Sequence, residues 1–160
     1  MTTPNLGEFM VVRTGGWVAS AIRAITHSGV NHAALYVGHG QIIEAQPGGA
    51  RLTRITAYPK AIWSHQDLSM PAREAVVKAA LGLVKTPYNF LDIGAQALVR
   101  VFHWHAPSWA LKRLSSPARL QCAQLVDVAY EKAGIRLFKD GRPGGLVSPG
   151  DLYDLIEAEK

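Results

Sequence analysis

A chain of 160 residues, 48% of them apolar and 18% charged, is long enough for one domain with its own core and too apolar for a disordered chain. Its single cysteine, Cys122, excludes an internal disulfide framework. The net charge of +5 is spread over scattered Lys and Arg, which reads as a solvated basic surface or as a face for an acidic partner such as an anionic membrane or a cell-wall polymer; the pair Lys112-Arg113 is too short to be a nucleic-acid arm, and no nucleic-acid partner is expected.

In chain order, residues 8–13 predict a first strand, broken by Thr14-Gly15-Gly16. Trp17, Val18, Ala21, Ile22 and Ile25 follow at helical spacing, and His27-Ser28-Gly29 ends that helix. The runs His32–Val37 and Gln41–Gln46 predict strands on either side of Gly38-His39-Gly40, and Pro47-Gly48-Gly49 predicts a turn. Residues 51–56 alternate as a further strand, and 61–67 predict one more. The pattern then changes to helices: one from Ser69-Met70-Pro71 to about Val84, with Ser69 at the cap, then Phe90–Phe102 and Trp109–Leu114. A strongly amphipathic helix, Gln121–Ala133, ends at Gly134. After the loop Arg142-Pro143-Gly144-Gly145, Ser148-Pro149-Gly150 leads into a last helix, Asp151–Ala158. Strands in the first half and helices in the second predict an α+β fold with an antiparallel sheet, as one domain over 1–160. No run approaches the ~20 apolar residues of a membrane span. The opening Met1-Thr2-Thr3-Pro4-Asn5-Leu6 has neither the basic nor the apolar region of a signal peptide. A cytoplasmic location is expected, with release by lysis or another export route.

Cys122 reads as a buried small hydrophobe, a reactive thiol or a lone metal ligand. The predicted helix puts it in the first turn, where unpaired N–H groups and the helix dipole favour a thiolate. Such a nucleophile needs a base. Of the six histidines, His32 is the informative one. A three-residue loop at Gly38-His39-Gly40, with Gly40 left-handed, sets Ala34 opposite Glu44 and His32 opposite Gln46. Alternation then puts His32, Glu44 and Gln46 on one face, with Glu44 the diagonal neighbour at roughly 7–8 Å. A two-residue loop turns Glu44 to the other face. A carboxylate on one imidazole nitrogen fixes the tautomer and frees the other nitrogen for the thiol proton. Glu44 is the expected orienter and Gln46 the fallback; a solvent-facing polar stripe is the alternative. A metal centre is not expected, because Cys122 has no CxxC partner and His103 and His105 diverge on a helix.

The run from His32 to Ala45 resembles the histidine motif of NlpC-type cell-wall hydrolases of the papain-like fold, where a catalytic His opens a strand and a polar residue twelve positions later orients it; here that residue is Glu44. In most of that family the Cys precedes the His. Cys122 follows His32, an order that resembles the circularly permuted branch, the YiiX-like enzymes and the related lecithin retinol acyltransferases. Gly7-Glu8-Phe9-Met10-Val11-Val12 is similar to that branch's opening strand, with Glu8 where Asp is usual. Thr86-Pro87-Tyr88 resembles its site-lining segment, Cys122–Gly134 its nucleophile helix and Ser148–Leu152 its closing segment. The resemblance implies a permuted papain-like fold and a Cys122–His32–Glu44 triad working through a thioester, with no cofactor. It implies a cysteine peptidase or amidase acting on peptide, amide or acyl substrates, with Tyr88 and Gln46 as substrate-binding residues. Backbone N–H groups at the start of the Cys helix, that of Cys122 included, are the expected oxyanion donors. A lipid acyltransferase or thioesterase, or a binding module with a vestigial site, are the rival readings. The aromatic segment 90–111 reads as an acyl pocket, a membrane-facing patch or plain helix packing.

Overall fold

The computed structural model describes residues 3–15, 29–46, 49–84, 117–140 and 147–159, with the backbone alone for 117–121. The predicted helices at 17–25, 90–102 and 109–114, the turn at Pro47-Gly48, the loop at Arg142–Gly145, Tyr88, Lys112-Arg113, and His103 with His105 lie outside the described residues.

The fold is α+β. Strands β1 (Phe9–Val12), β2 (His32–Gly38), β3 (Gln41–Gln46), β4 (Gly49–Arg54) and β5 (Ile62–Trp63) form one antiparallel sheet in the order β4-β3-β2-β1-β5. Helices α1 (Met70–Val84), α2 (Pro117–Lys132) and α3 (Pro149–Ala158) follow. One face of the sheet presents Phe9, Val11, Ala33, Leu35, Ile43 and Ala45, which pack with Val76 and Ala80 of α1, Leu125 and Tyr130 of α2, and Leu152 of α3. The opposite face presents Met10, Val12, Ala34, Tyr36 and Ile42, covered by Leu6, Ile55, Tyr58, Ala61 and Trp63. Burial on both faces explains why β2 reads as a nearly continuous apolar run rather than an alternating one.

The β2–β3 hairpin keeps the expected register by a different route. Leu35 pairs with Ile43 and Tyr36 with Ile42, both pairs of the predicted register, but Gly38 then pairs with Gln41. The loop is therefore the two residues His39 and Gly40, with φ of 52° and 69°, both left-handed as a type I′ turn requires. A bulge between Tyr36 and Gly38 absorbs the extra residue. The shortened loop thus leaves Glu44 on the face of Ile42, because the bulge cancels the slip. Gly38 has φ of 98°, a backbone region that favours glycine, and a Cβ there would also have to displace the tip of the Leu6 side chain, whose Cδ2 it would meet at 2.9 Å.

Two predicted strands differ clearly in extent. The strand expected over 61–67 pairs only at Ile62–Trp63. Beyond it, Ser64 exchanges two hydrogen bonds with the Phe9 backbone, at 2.9 and 3.0 Å. The guanidinium of Arg73 then takes the carbonyls of Gln66, Leu68 and Leu6. A side chain replaces a ladder here. The strand expected over 51–56 begins earlier, at Gly49, and gives way to a 3₁₀ turn, Ile55–Ala57. That turn is pinned to the hairpin by the Ile55 N–H, which donates to the Gly40 carbonyl at 2.9 Å.

Helix ends follow the signals in the sequence. The Ile135 N–H donates to the Tyr130 carbonyl and the Gly134 N–H to that of Glu131, both at 2.9 Å. With Gly134 at φ of 79°, this is a Schellman end to α2. At the start of α3, Ser148 and Asp151 form a reciprocal capping box.

Candidate active site

Local folding brings three side chains together. His32 opens β2 and Glu44 lies near the end of β3. Cys122 lies on α2 within the helix-facing core, only 1% exposed. Glu44 lies two residues from Ile42 and so shares its face, the one opposite the helices. His32, at the strand end, meets both: its Nε2 lies 2.7 Å from Glu44 Oε2, and its ring is hydrogen-bonded to the Cys122 thiol. An ionised carboxylate only accepts, so Nε2 carries the proton toward Glu44, and Nδ1 is left for the thiol.

Glu44 is fully buried, and the polar stripe weighed as an alternative does not face solvent. Its Oε2 accepts from His32, from the Tyr58 hydroxyl at 2.6 Å and from Gln46 Nε2 at 3.3 Å. Its Oε1 accepts from the Thr53 hydroxyl at 2.6 Å and from Arg51 Nε at 3.0 Å. Burial by itself pushes the Glu44 pKa up; hydrogen bonds from His32, Thr53 and Tyr58 outweigh it and hold the carboxyl far below the usual carboxylate range. Burial likewise pushes the His32 pKa down, and the hydrogen bonds to Cys122 and Glu44 overcome it, raising His32 from its ordinary 6.5 to about 9. Burial and the bond to Glu44 push the Tyr58 phenol up, so it stays a donor. Chemically, this is an imidazole made more basic by its partners and set beside the Cys122 sulfur, with a carboxylate that favours its ionised form behind it.

The structure corrects the placement of Cys122 along its helix. α2 starts at Pro117, four residues before the expected Gln121, so Cys122 is the sixth helical residue rather than a first-turn one. Its N–H falls within the i→i−4 ladder, and the helix dipole acts mainly on the terminal turn. The position therefore supports neither that N–H as oxyanion donor nor the dipole as the influence on the thiol, and the contact the thiol does make is with His32. Gln46 donates to Glu44, so of the two candidate orienters the carboxylate is the one bonded to His32 and Gln46 supports it. Tyr88 lies outside the described residues. Among the described residues no group of three or more His, Cys, Asp and Glu is placed to hold a metal ion.

Arg51, Thr53 and Tyr58 were absent from the sequence reading. The first two were findable: Glu44 pairs with Arg51 and Ile42 with Thr53 once β4 follows β3 in register. Tyr58 carries no periodic signal, since it follows a 3₁₀ turn. No protein-family model, curated protein or solved structure matches the chain.

Proposed function

We propose that this protein is a cysteine hydrolase of the amidase or peptidase type, with Cys122 as nucleophile, His32 as base and Glu44 as orienter. The observation that carries the reading is one imidazole bonded to a lone cysteine on one side and to a fully buried carboxylate on the other. Nucleophile, base and orienter in series are the arrangement that activates a thiol. In the first step His32 takes the thiol proton and the sulfur attacks an acyl carbon. The tetrahedral adduct collapses to a thioester as the imidazolium protonates the departing amine. Water, deprotonated by His32, then attacks the thioester, and the proton returns to the sulfur as the acid leaves. The order His32, Glu44, Cys122 along the chain and a helix packed on an antiparallel sheet support a circularly permuted papain-like fold of the NlpC type. Cell-wall peptides are the substrate class that such a fold suggests.

The test is a panel of peptide, ester and acyl-amide substrates with intact-mass detection of the acyl-enzyme. A Cys122 thioester is expected, with no turnover by Cys122→Ala and a loss of roughly 10²–10⁴ in rate for His32→Ala, the usual worth of a positioned base. Turnover that persists in Cys122→Ala overturns the reading. Turnover confined to lipid esters, with transfer to an acceptor other than water, moves the protein to an acyltransferase.

A further inference from the structure

Tyr58 touches both members of the pair behind the thiol. Its hydroxyl donates to Glu44 Oε2 at 2.6 Å, the same oxygen that His32 uses. Its ring lies against the imidazole, with centroids 5.3 Å apart and planes tilted by 43°. The position is fixed from two directions. The Tyr58 N–H closes the 3₁₀ turn on the Ile55 carbonyl at 3.1 Å, and the Ala61 N–H returns to the Tyr58 carbonyl at 3.1 Å. The turn itself hangs on the hairpin through Gly40.

We infer that Tyr58 is a positioning residue for the Cys122–His32–Glu44 group: its hydroxyl holds the carboxylate and its ring covers the imidazole, so that His32 keeps Nδ1 toward the thiol. The inference rests on the reading of Cys122 as nucleophile. An imidazole anchored through a single nitrogen turns about its Cβ–Cγ bond, and a half-turn presents carbon where the thiol needs nitrogen. The tilted phenol ring blocks that turn. The hydroxyl also keeps water from Oε2, where it would compete with Nε2–H for the same lone pairs. Every group facing the carboxylate adds to this: His32 from β2, Gln46 from β3 itself, Arg51 and Thr53 from β4, and Tyr58 from the loop, with Cys122 of α2 acting through His32. Tyr58 is the only one of them in ring contact with the imidazole among the described residues.

Two variants separate ring from hydroxyl. Tyr58→Phe keeps the cover and loses one hydrogen bond to a charged group; Tyr58→Leu loses both. The readouts are the carboxyl ¹³C titration of Glu44, the imidazole NMR signals of His32, and the pH dependence of Cys122 alkylation by iodoacetamide. Tyr58→Phe is expected to raise the Glu44 titration midpoint by roughly one to two pH units and, through the Glu44–His32 bond, to shift the acid limb of alkylation. Tyr58→Leu is expected to add a second imidazole environment and a rate loss of about tenfold or more at neutral pH. A Glu44 midpoint in Tyr58→Phe that coincides with wild type overturns the inference, and this variant decides the matter if Tyr58→Leu does not fold. A role confined to packing would lower melting temperature and leave both titrations unmoved, which also overturns it. Wild-type Cys122 alkylating like a free thiol would instead count against the nucleophile reading, while the Glu44 titration still reports on Tyr58.

Discussion

At the scale of single residues, the site turns on a carboxylate whose neighbours favour its charged form. Five side chains donate to Glu44, and none of its surface is exposed. Removing its charge while keeping its shape isolates what that anion does. In Glu44→Gln the burial of His32 acts without that counter-charge while the Cys122 bond remains, so the imidazole pKa should fall from about 9 toward the ordinary 6.5. Titrating the His32 ring by NMR checks this; a value that stays near 9 would mean that Cys122 alone sets it. Glu44→Ala removes the partner outright and should cost roughly 3–5 kcal/mol in stability, as breaking a buried pair does. Denaturant unfolding of the two variants side by side separates charge from packing.

At the scale of elements, the hairpin is the part that decides whether a site exists. Its bulge rests on Gly38, whose left-handed backbone sits against Leu6. Gly38→Ala should both strain that φ and push into the Leu6 side chain, at a cost of roughly 1–3 kcal/mol. Because the bulge holds β3 in register, the damage should reach Cys122 as well, seen as slower alkylation at neutral pH. Ser148→Ala makes the contrast: a lost cap on α3 should cost about 1 kcal/mol in thermal melts and leave alkylation unchanged. Equal alkylation rates in all three proteins would show that the hairpin does not govern the thiol. The same hairpin was legible in the sequence because glycines punctuate it and apolar residues fill both runs. His32 and Glu44 could be paired from parity alone. The start of α2 differs from the expected one for a physical reason: Pro117-Ala118-Arg119-Leu120 lacks the amphipathic spacing of the residues after it, and the start is marked only by short local signals, Ser115-Ser116 followed by a proline at the first helical position. Tyr58 was invisible, since its place depends on a turn and a tertiary hydrogen bond rather than on periodicity.

At the scale of the whole molecule, His32 and Glu44 tie folding to pH across the acid and neutral range, and their signs differ. His32 is raised, so its contribution is complete below about 6.5 and drains away as pH rises through about 9. Glu44 is lowered, so its contribution is present above its ordinary 4.5 and is lost as pH falls below that. Wild type should therefore exceed Glu44→Gln in melting temperature most between about 4.5 and 6.5, with the gap closing toward pH 9. Melts across that range check it, and a gap that widens with rising pH would contradict the assignment of the charged pair. The sheet and helices around this pair were readable as a class, because strands and helices segregate along the chain. What joins the layers was not. The Tyr130 hydroxyl reaches the Gly7 carbonyl at 2.6 Å across more than a hundred residues of sequence, a contact that only the folded chain defines.

The bulge has a last implication, for how this hairpin can change length. Since His32 and Glu44 must share a face, the count of residues between them behaves as a parity bit. Insertions or deletions of two residues preserve it and change only the reach of the loop. A single insertion or deletion inverts it, unless a second irregularity restores the phase. Library designs that vary this loop should therefore yield reactive thiols in alternate lengths, a comb rather than a gradient.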